Sequence, residues 1–250
     1  MNKNLIYMTA VDSDTSSFKN SEYSVYSKRS WKYWCDKNGV DFLVIDTLNP
    51  RYKFPVWNKD TIFEIVGEDR YDKIGYVDSD TMIRWDSPNP FDLYTDEFCV
   101  VRENSSLRWI HNSIQTYNVF YPEIKLNLED YFNSGVSFFT KRHKFVFDEL
   151  ISLYERERNR LDEIKGVGKV QTLLNLVLKK FSVNTKYLDD RWNLFSIHKK
   201  NMFTYNWQLN EDQTPFFIKY AYIWHFTGFP IERRNEVMKS VWESCKNFYE

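Results

Sequence analysis

The chain has 250 residues and a formal net charge of −1, from 34 basic and 35 acidic side chains. This balance argues against a nucleic-acid binder that relies on bulk positive charge and against a polybasic membrane-surface protein. Aromatic residues make up 18% of the chain, whereas Gly and Pro number only 7 each. Because disordered chains are poor in aromatic residues, the composition predicts a folded chain with a large core.

The cysteines indicate the cellular compartment. Cys35, Cys99 and Cys245 are widely spaced, so they predict neither a disulfide framework nor a zinc site. Such a sparse set favours a reducing environment, and we expect a cytoplasmic protein. We find no signal-peptide pattern at the start and no run near the ~18 apolar residues of a spanning helix. Peripheral attachment to a membrane stays open.

The first predicted elements form a strand–helix–strand unit. An apolar run at residues 5–10 predicts a buried strand, and the polar residues 12–20 predict a loop. A helix over residues 21–38 would end at Gly39, and residues 41–46 predict a second strand. Two strands joined in this way pair in parallel with a right-handed crossover.

The later elements complete the predicted architecture. Helices are predicted over residues 56–66, 144–164 and 169–180, and strands over residues 73–77, 98–101, 135–139 and 181–188. Residues 222–226 are predicted to form a late strand or a loop. We therefore expect one α/β domain over residues 1–250, with a mostly parallel central sheet flanked by helices and a more irregular C-terminal third.

The strongest functional pattern is Tyr76-Val77-Asp78-Ser79-Asp80, in which two carboxylates directly follow an apolar strand. Open α/β sheets bind ligands at the carboxyl ends of their strands. Residues i and i+2 of an extended chain project to the same side, so these carboxylates repel each other unless a cation lies between them. A hard divalent ion such as Mn²⁺ or Mg²⁺ would bind there and bridge to phosphate oxygens.

Residues 71–83 resemble the DxD segment of GT-A glycosyltransferases, most closely the glycogenin and galactosyltransferase-like enzymes of glycosyltransferase family 8. Four further segments are similar to motifs of that family and occur in the same order, at residues 131–136, 171–175, 187–193 and 223–228. The resemblance implies a GT-A, Rossmann-like nucleotide-diphospho-sugar transferase fold. It also implies a hexosyltransferase with a UDP-sugar donor, a saccharide or glycan acceptor, and a Mn²⁺ or Mg²⁺ cofactor.

The resemblance also assigns expected roles along the chain. Residues from about 1 to 100 would form the nucleotide-binding half, and those from about 101 to 250 the acceptor-binding half with a closing segment. Asp78 and Asp80 would hold the metal, with His225 as the third protein ligand. Ser79 and Gly228 would lie against the donor.

Further donor and sugar contacts follow from the same resemblance. Thr9, Ala10 and Val11, at the end of the first strand, would cradle the uracil and ribose. Lys59 would contact the donor diphosphate or sugar. Asn133 and Gln171 would contact the transferred sugar or its acceptor.

Two departures from the family pattern are visible. Val170 and Thr172 stand where the family usually has acidic residues beside the helix glutamine, which leaves the sugar and the stereochemistry open. The lysine that follows the closing motif in the family is absent at its usual spacing, and Arg233 or Arg234 would supply that charge.

The resemblance favours transfer with retention of configuration, with Gln171 on the reactive face of the sugar. An inverting enzyme would instead need a carboxylate base, and the candidates are Glu129, Asp130, Asp189 and Asp190. Glu129 and Asp130 lie near the acceptor motif, and Asp130 is our first candidate.

Three alternatives use the same features differently. A non-catalytic carbohydrate-binding protein would use aromatic platforms, for which Trp57, Trp192 and Trp207 are candidates. A sugar nucleotidyltransferase or a phosphatase would also use an aspartate pair. The glycine-free segment after the first strand weakens the nucleotidyltransferase interpretation. The phosphatase pattern has Thr or Val where this chain has Met82. It also places the aspartate pair after the first strand, whereas Asp78 follows a later one.

Overall fold

The computed structural model of the chain describes residues 3–12, 22–104, 106–166, 168–197 and 214–250. Residues 13–20 of the predicted loop therefore lie outside the described residues, and so does Trp207. The strands are β1 (Asn4–Thr9), β2 (Asp41–Ile45), β3 (Lys73–Asp78), β4 (Thr81–Ile83), β5 (Phe98–Arg102), β6 (Phe132–Thr140), β7 (Thr185–Tyr187) and β8 (Ile223–His225). The helices are α1 (Ser24–Asn38), α2 (Ile62–Val66), α3 (Leu107–Tyr117), α4 (Lys144–Glu163), α5 (Lys169–Lys180), α6 (Phe216–Tyr220) and α7 (Ile231–Cys245).

A central mixed sheet organises the described part of the chain. Its strand order is β2-β1-β3-β6-β5-β7, and β4 and β8 form a separate ladder. β1 pairs in parallel with both β2 and β3, which confirms the predicted strand–helix–strand unit. β6 is antiparallel to β3 and β5, whereas β5 and β7 are parallel. Three of the five pairings are thus parallel, as the predicted α/β class requires.

Alternation along β1 places apolar side chains on both faces of the sheet. Leu5 and Tyr7 join the cluster formed with α4, α5 and the 3₁₀ helix Pro55–Thr61. Ile6 and Met8 join the cluster on the other face, which includes α1. Burial on both faces is characteristic of strands in parallel sheets, and it accounts for the unbroken apolar run at the start of the chain.

Helix α1 ends where the sequence predicts. Gly39 adopts a left-handed conformation with φ of 65°, and its N–H donates to the carbonyl oxygens of Asp36 and Cys35. A residue without a Cβ is favoured in this conformation. Trp31 and Trp34 of this helix are completely buried. The two rings belong to the same buried cluster as Ile6 and Met8 of β1.

The structure corrects several element predictions. The predicted helix over residues 56–66 is the 3₁₀ helix Pro55–Thr61 followed by the single-turn α2. The predicted strand over residues 181–188 shortens to β7. Among the strands and α-helices of the described residues, four were not predicted, namely β4, α3, α6 and α7. β4 and α6 are too short to show a period, and α7 spaces its apolar residues within a strongly charged segment.

No helix in the described ranges is both long enough and apolar enough to cross a membrane. All three cysteines are buried and carry free thiols.

Candidate functional site

The Asp78–Asp80 pair lies where β3 ends. Asp78 is the last residue of β3, and Asp80 lies in the turn that leads into β4. β4 pairs antiparallel with β8, and this register places Thr81 opposite His225. The backbone N–H of Phe226 also donates to the carbonyl oxygen of Asp80 at 2.9 Å. The short β4–β8 ladder therefore carries a histidine from late in the chain to the two aspartates.

Asp78, Asp80 and His225 form a cluster with the geometry of a cation site. Each offers one ligand atom, and these atoms lie within 4.8 Å of one another. His225 Nε2 is 3.2 Å from Asp80 Oδ1 and 3.7 Å from Asp78 Oδ2. This nitrogen is buried and has no hydrogen-bond partner among the described residues. Two carboxylates and an imidazole nitrogen around one point fit a divalent cation such as Mn²⁺ or Mg²⁺.

The charges around His225 shift its pKa. Burial lowers the pKa of this imidazole, but the charges of Asp80 and Asp78 outweigh burial, so the pKa is raised. The pKa of Asp80 shifts in the opposite direction. Burial would raise the pKa of Asp80, whereas the charges of Arg234 and His225 lower it to about 2. Asp80 therefore stays ionised at every physiological pH.

Arg234 is the basic residue that reaches the cluster. Its Nη1 lies 3.2 Å from Asp80 Oδ2, and both side chains are largely buried. Its Nη2 donates to the carbonyl oxygen of Phe229 at 3.0 Å. Arg233, the other candidate from the sequence, instead pairs with Glu236 on the surface. Helix α7, which the sequence analysis missed, thus supplies a fixed positive charge next to the aspartates.

Residues 133–135 at the start of β6 connect the predicted site residues. Lys59 Nζ donates to Ser134 Oγ at 2.9 Å, and the backbone N–H of Ser134 donates to Gln171 Oε1 at 3.1 Å. Gln171 Nε2 is buried and has no hydrogen-bond partner among the described residues. β6 thereby brings Lys59, Asn133 and Gln171 to the edge of the cluster.

Gly135 leaves the space that the cluster occupies. A Cβ atom at this position would lie 2.3 Å from His225 Cε1 and 2.5 Å from Asp78 Oδ2. Both distances are shorter than real Cβ contacts, so a side chain here would displace His225 and Asp78. Glycine at residue 135 is required by this close approach.

The end of β1 lies directly beside the acidic pair. Thr9 is in register with Asp78, and its buried Oγ1 has no hydrogen-bond partner in the described ranges. The N–H of Ala10 donates to Ile45, and Val11 is buried. Two further predicted donor residues also lie close to the cluster in sequence. Ser79 is buried between the two aspartates, and Gly228 follows β8 with φ of 85°.

The structure does not bring Asp130 to this cluster. Its carboxylate accepts a hydrogen bond from Asn127 Nδ2 at 3.1 Å. Asp130 also lines a separate cavity of about 330 Å³, together with residues of α5 and β7 that include Asn175, Lys179 and Tyr187. No contact between Asp130 and the cluster of Asp78, Asp80 and His225 is seen in the part of the chain that the structure describes.

Two of the other candidate bases, Asp189 and Asp190, have local partners, and Glu129 is exposed. Asp189 accepts from the backbone N–H of Arg191 at the start of a 3₁₀ turn and also pairs with that guanidinium. Asp190 accepts from the hydroxyl of Tyr220 at 3.0 Å. Two of the candidate stacking rings, Trp57 and Trp192, are buried and belong to the core clusters.

Three residues around the site were not singled out from the sequence. The hydroxyl of Tyr76 donates to Asp78 Oδ1. The sequence signal for this contact is that Tyr76 and Asp78, two residues apart in a strand, project to the same face. Asn193 Oδ1 lies 2.9 Å from His225 Nδ1, and this residue belongs to the matched segment 187–193. Glu103 accepts from Asn133 Nδ2 at 3.1 Å, and no local pattern marks it.

Comparison with known proteins identifies the fold. No protein-family model matches the chain, and no curated protein matches it in sequence. Among solved structures, a glycosyltransferase involved in glycosylation of the major capsid of PBCV-1 superposes with a TM-score of 0.61 at 13% identity, covering 96% of this chain and 100% of the other. The galactosyltransferase LgtC, in complex with donor and acceptor sugar analogues, gives 0.51 at 14% identity, with 98% and 99% covered.

The bifunctional glycosyltransferase WbbM gives a TM-score of 0.60 at 14% identity. The match covers 99% of this chain and 51% of WbbM, so the chain spans about half the length of that protein. These similarities establish that the described chain has the fold of GT-A glycosyltransferases, which confirms the fold expected from the DxD segment.

Proposed function

We propose that this protein is a glycosyltransferase that moves a sugar from a UDP-sugar to a hydroxyl group of a saccharide or glycan acceptor. The observation that carries the proposal is the cluster of Asp78, Asp80 and His225 at the carboxyl end of β3. Strand ends are where open α/β sheets bind ligands, and the donor set fits a divalent cation. The fold alone does not decide function, so the argument rests on these side chains.

Asp78, Asp80 and His225 would hold Mn²⁺ or Mg²⁺. When bound, the ion would neutralise the negative charge that gathers on the leaving diphosphate. Two side chains of the protein add positive charge beside it. Arg234 lies against Asp80, and Lys59 is held at Ser134, next to Gly135. Fixed charges of this kind favour departure of an anionic leaving group.

The donor nucleotide would lie along the end of β1. Thr9, Ala10 and Val11 follow each other there, and the register of β1 with β3 places Thr9 beside Asp78. The unpartnered hydroxyl of Thr9 would bond a ribose or uracil oxygen. Ser79 and Gly228 would close over the phosphates from β4 and β8.

The transferred sugar would lie against Asn133 and Gln171. The Oε1 atom of Gln171 is held by the N–H of Ser134, which leaves the Nε2 amide as a donor for a sugar oxygen. We propose transfer with retention, which the resemblance of the DxD segment favours. Asp130, Asp189 and Asp190, three of the candidate carboxylate bases, each have other partners. Asp130 would serve as a base only if an acceptor bridged its cavity and the site.

We further propose that the chain acts as one domain. Residues up to about 100 would bind the nucleotide, and the later residues would bind the acceptor and close the site. The β4–β8 ladder and the Arg234–Asp80 pair support this arrangement, because both join early and late parts of the chain.

The test combines metal dependence with matched variants. Thermal shift should show stabilisation by UDP only when Mn²⁺ is present, because ligands that bind the folded state raise the melting temperature. UDP-sugar hydrolysis or transfer should require Mn²⁺ and fall at least about a hundredfold in Asp78→Asn and Asp80→Asn. Asp69→Asn, at an exposed acid, is the matched control.

Other results would favour the alternatives. Stabilisation by oligosaccharides without any nucleotide effect would indicate a carbohydrate-binding protein. Release of phosphate from a sugar phosphate would indicate a phosphatase, and formation of UDP-sugar from UTP would indicate a nucleotidyltransferase.

A further inference from the structure

His225 is held on the side opposite the aspartates by a second, fully buried side chain. Its Nδ1 lies 2.9 Å from Asn193 Oδ1. Asn193 is completely buried, and His225 is 1% exposed. The ring nitrogen that faces the aspartates and the one that faces Asn193 are therefore in separate environments, and solvent reaches neither freely.

The hydrogen bonds continue beyond Asn193. Asn193 Nδ2 donates to Asn133 Oδ1 at 3.0 Å, and the backbone N–H of Gly135 donates to the same oxygen at 2.9 Å. On its other side, Asn133 Nδ2 donates to Glu103 Oε2 at 3.1 Å. Glu103, Asn133, Asn193 and His225 thus form a continuous chain of side chains, which we call the amide relay.

Two contacts of Asn133, one with Gly135 and one with Glu103, fix the direction of the relay. A backbone N–H can only donate, so Gly135 requires an oxygen of Asn133 on its side. A carboxylate can only accept, so Glu103 requires the NH₂ group of Asn133 on the other side. Asn133 Oδ1 then faces Asn193, which must present its own NH₂ group there.

The orientation of the Asn193 amide also determines which ring nitrogen of His225 carries the proton. With its NH₂ group used on Asn133, Asn193 presents Oδ1 to His225, and an amide oxygen accepts only. In the neutral ring the proton must therefore sit on Nδ1. The lone pair is then left on Nε2, which is the atom nearest the carboxylates of Asp78 and Asp80.

We propose that Asn193 is a positioning residue that holds neutral His225 as the Nδ1–H tautomer, with its direction set by Asn133, Glu103 and the Gly135 N–H. The relevance to metal binding rests on the proposed function. The other tautomer would point an N–H at the aspartates and could not bind a cation through Nε2. A hydrogen bond to the second ring nitrogen commonly fixes the orientation of metal-ligating histidines.

The test reads the tautomer directly, in metal-free protein. Long-range ¹H–¹⁵N correlation spectra of ¹⁵N-labelled protein, recorded at alkaline pH where the ring is neutral, distinguish protonated from unprotonated ring nitrogens. His225→Gln assigns the signals, because it removes one set. Wild-type His225 should show a protonated Nδ1 and an unprotonated Nε2.

Asn193→Leu removes the acceptor while keeping a similar volume. This variant should show a mixture of tautomers and a Mn²⁺ affinity about 10- to 100-fold lower, the range typical for loss of an outer partner. Asn112→Leu, at an exposed position of α3, is the control for the same change and should match wild type in both measurements.

Three results would overturn the proposal. They are an Nε2–H tautomer in the wild type, a mixture of tautomers in the wild type, and an unchanged tautomer in Asn193→Leu. The wild-type spectrum decides even if the variant does not fold. A wild type with the expected tautomer that binds no divalent ion would contradict the proposed metal function and leave the relay supported.

Discussion

Asp60 and Asp80 are almost equally buried, at 2% and 6% exposed, yet their pKa values move in opposite directions. Burial raises the pKa of Asp60 to about 7, and the charge of Lys59 offsets only part of this effect. Burial acts on Asp80 in the same sense, but Arg234 and His225 outweigh it and lower the pKa to about 2. The two carboxyl groups therefore differ because of the charges next to them and not because of their depth.

The partners explain the difference. Lys59 is next to Asp60 in sequence, but its Nζ is directed to Ser134 Oγ. Asp60 Oδ2 has no hydrogen-bond partner among the described residues. Asp80 has a guanidinium and an imidazole within 3.2 Å, both from the last part of the chain. One carboxyl group is thus prepared for a cation, whereas the other is most stable as a neutral acid.

Removing the Arg234 guanidinium next to Asp80 should have the largest effect on stability. We expect Arg234→Met to lower the free energy of unfolding by about 3–5 kcal/mol, because it leaves a buried carboxylate without its main partner. Urea unfolding measures this. The double variant Arg234→Met with Asp80→Asn should recover part of the loss.

Arg233→Met is the matched control, since Arg233 is largely exposed and should change stability by no more than about 0.5 kcal/mol. Equal stability of the Arg234 and Arg233 variants would show that the buried pair contributes nothing.

Neutralising the other aspartate should stabilise the protein. The folded pKa of Asp60 is about 7 and the ordinary value is 3.8, so ionisation costs stability as pH rises between these values and the cost is constant above them. Asp60→Asn should therefore raise the free energy of unfolding by up to about 4 kcal/mol above pH 7. It should have little effect near pH 4. A gain that is independent of pH would contradict this account.

Filling the space beside the cluster should remove the metal site without removing the fold. We expect Gly135→Ala to reduce Mn²⁺ affinity by at least about a hundredfold, because its Cβ would displace His225 and Asp78. Titration followed by electron paramagnetic resonance of free Mn²⁺ measures the affinity. Gly67→Ala is the control, since no atom lies within 4 Å of its Cβ. It should lower stability through its positive φ and leave Mn²⁺ affinity unchanged.

Protons should compete with the metal in a defined direction. The pKa of His225 is raised, and only the neutral imidazole binds a cation, so Mn²⁺ affinity should fall as pH falls through that pKa. The expected slope is about tenfold per pH unit, from loss of one proton. Asp80, whose pKa is lowered to about 2, should add little slope near neutral pH. His111→Gln should show the same dependence of Mn²⁺ affinity on pH as the wild type, whereas His225→Gln should show none. Together these results would identify His225 as the titrating group.

Much of the fold could be predicted because it depends on local patterns. The apolar run of β1, the spacing of α1 and the stop at Gly39 each act over a few residues. Helix α3 was missed although Ser106 caps it by accepting from the N–H of Trp109. β4 was missed because three residues show no period, and its pairing with β8 is decided far along the chain.

By itself, the sequence determined the α/β class and the position of two carboxylates at the end of an apolar strand, because alternation and strand ends are local properties. It also supplied the histidine and the glutamine through resemblance. Only the tertiary structure showed that Arg234, and not Arg233, pairs with Asp80. It also showed that a side chain at Gly135 would collide with His225 and Asp78. The chain of hydrogen bonds from Glu103 to His225 through two amides is likewise a tertiary feature. These relations depend on how β6, β8 and α7 pack, and side-chain distances between segments far apart in sequence leave no local pattern.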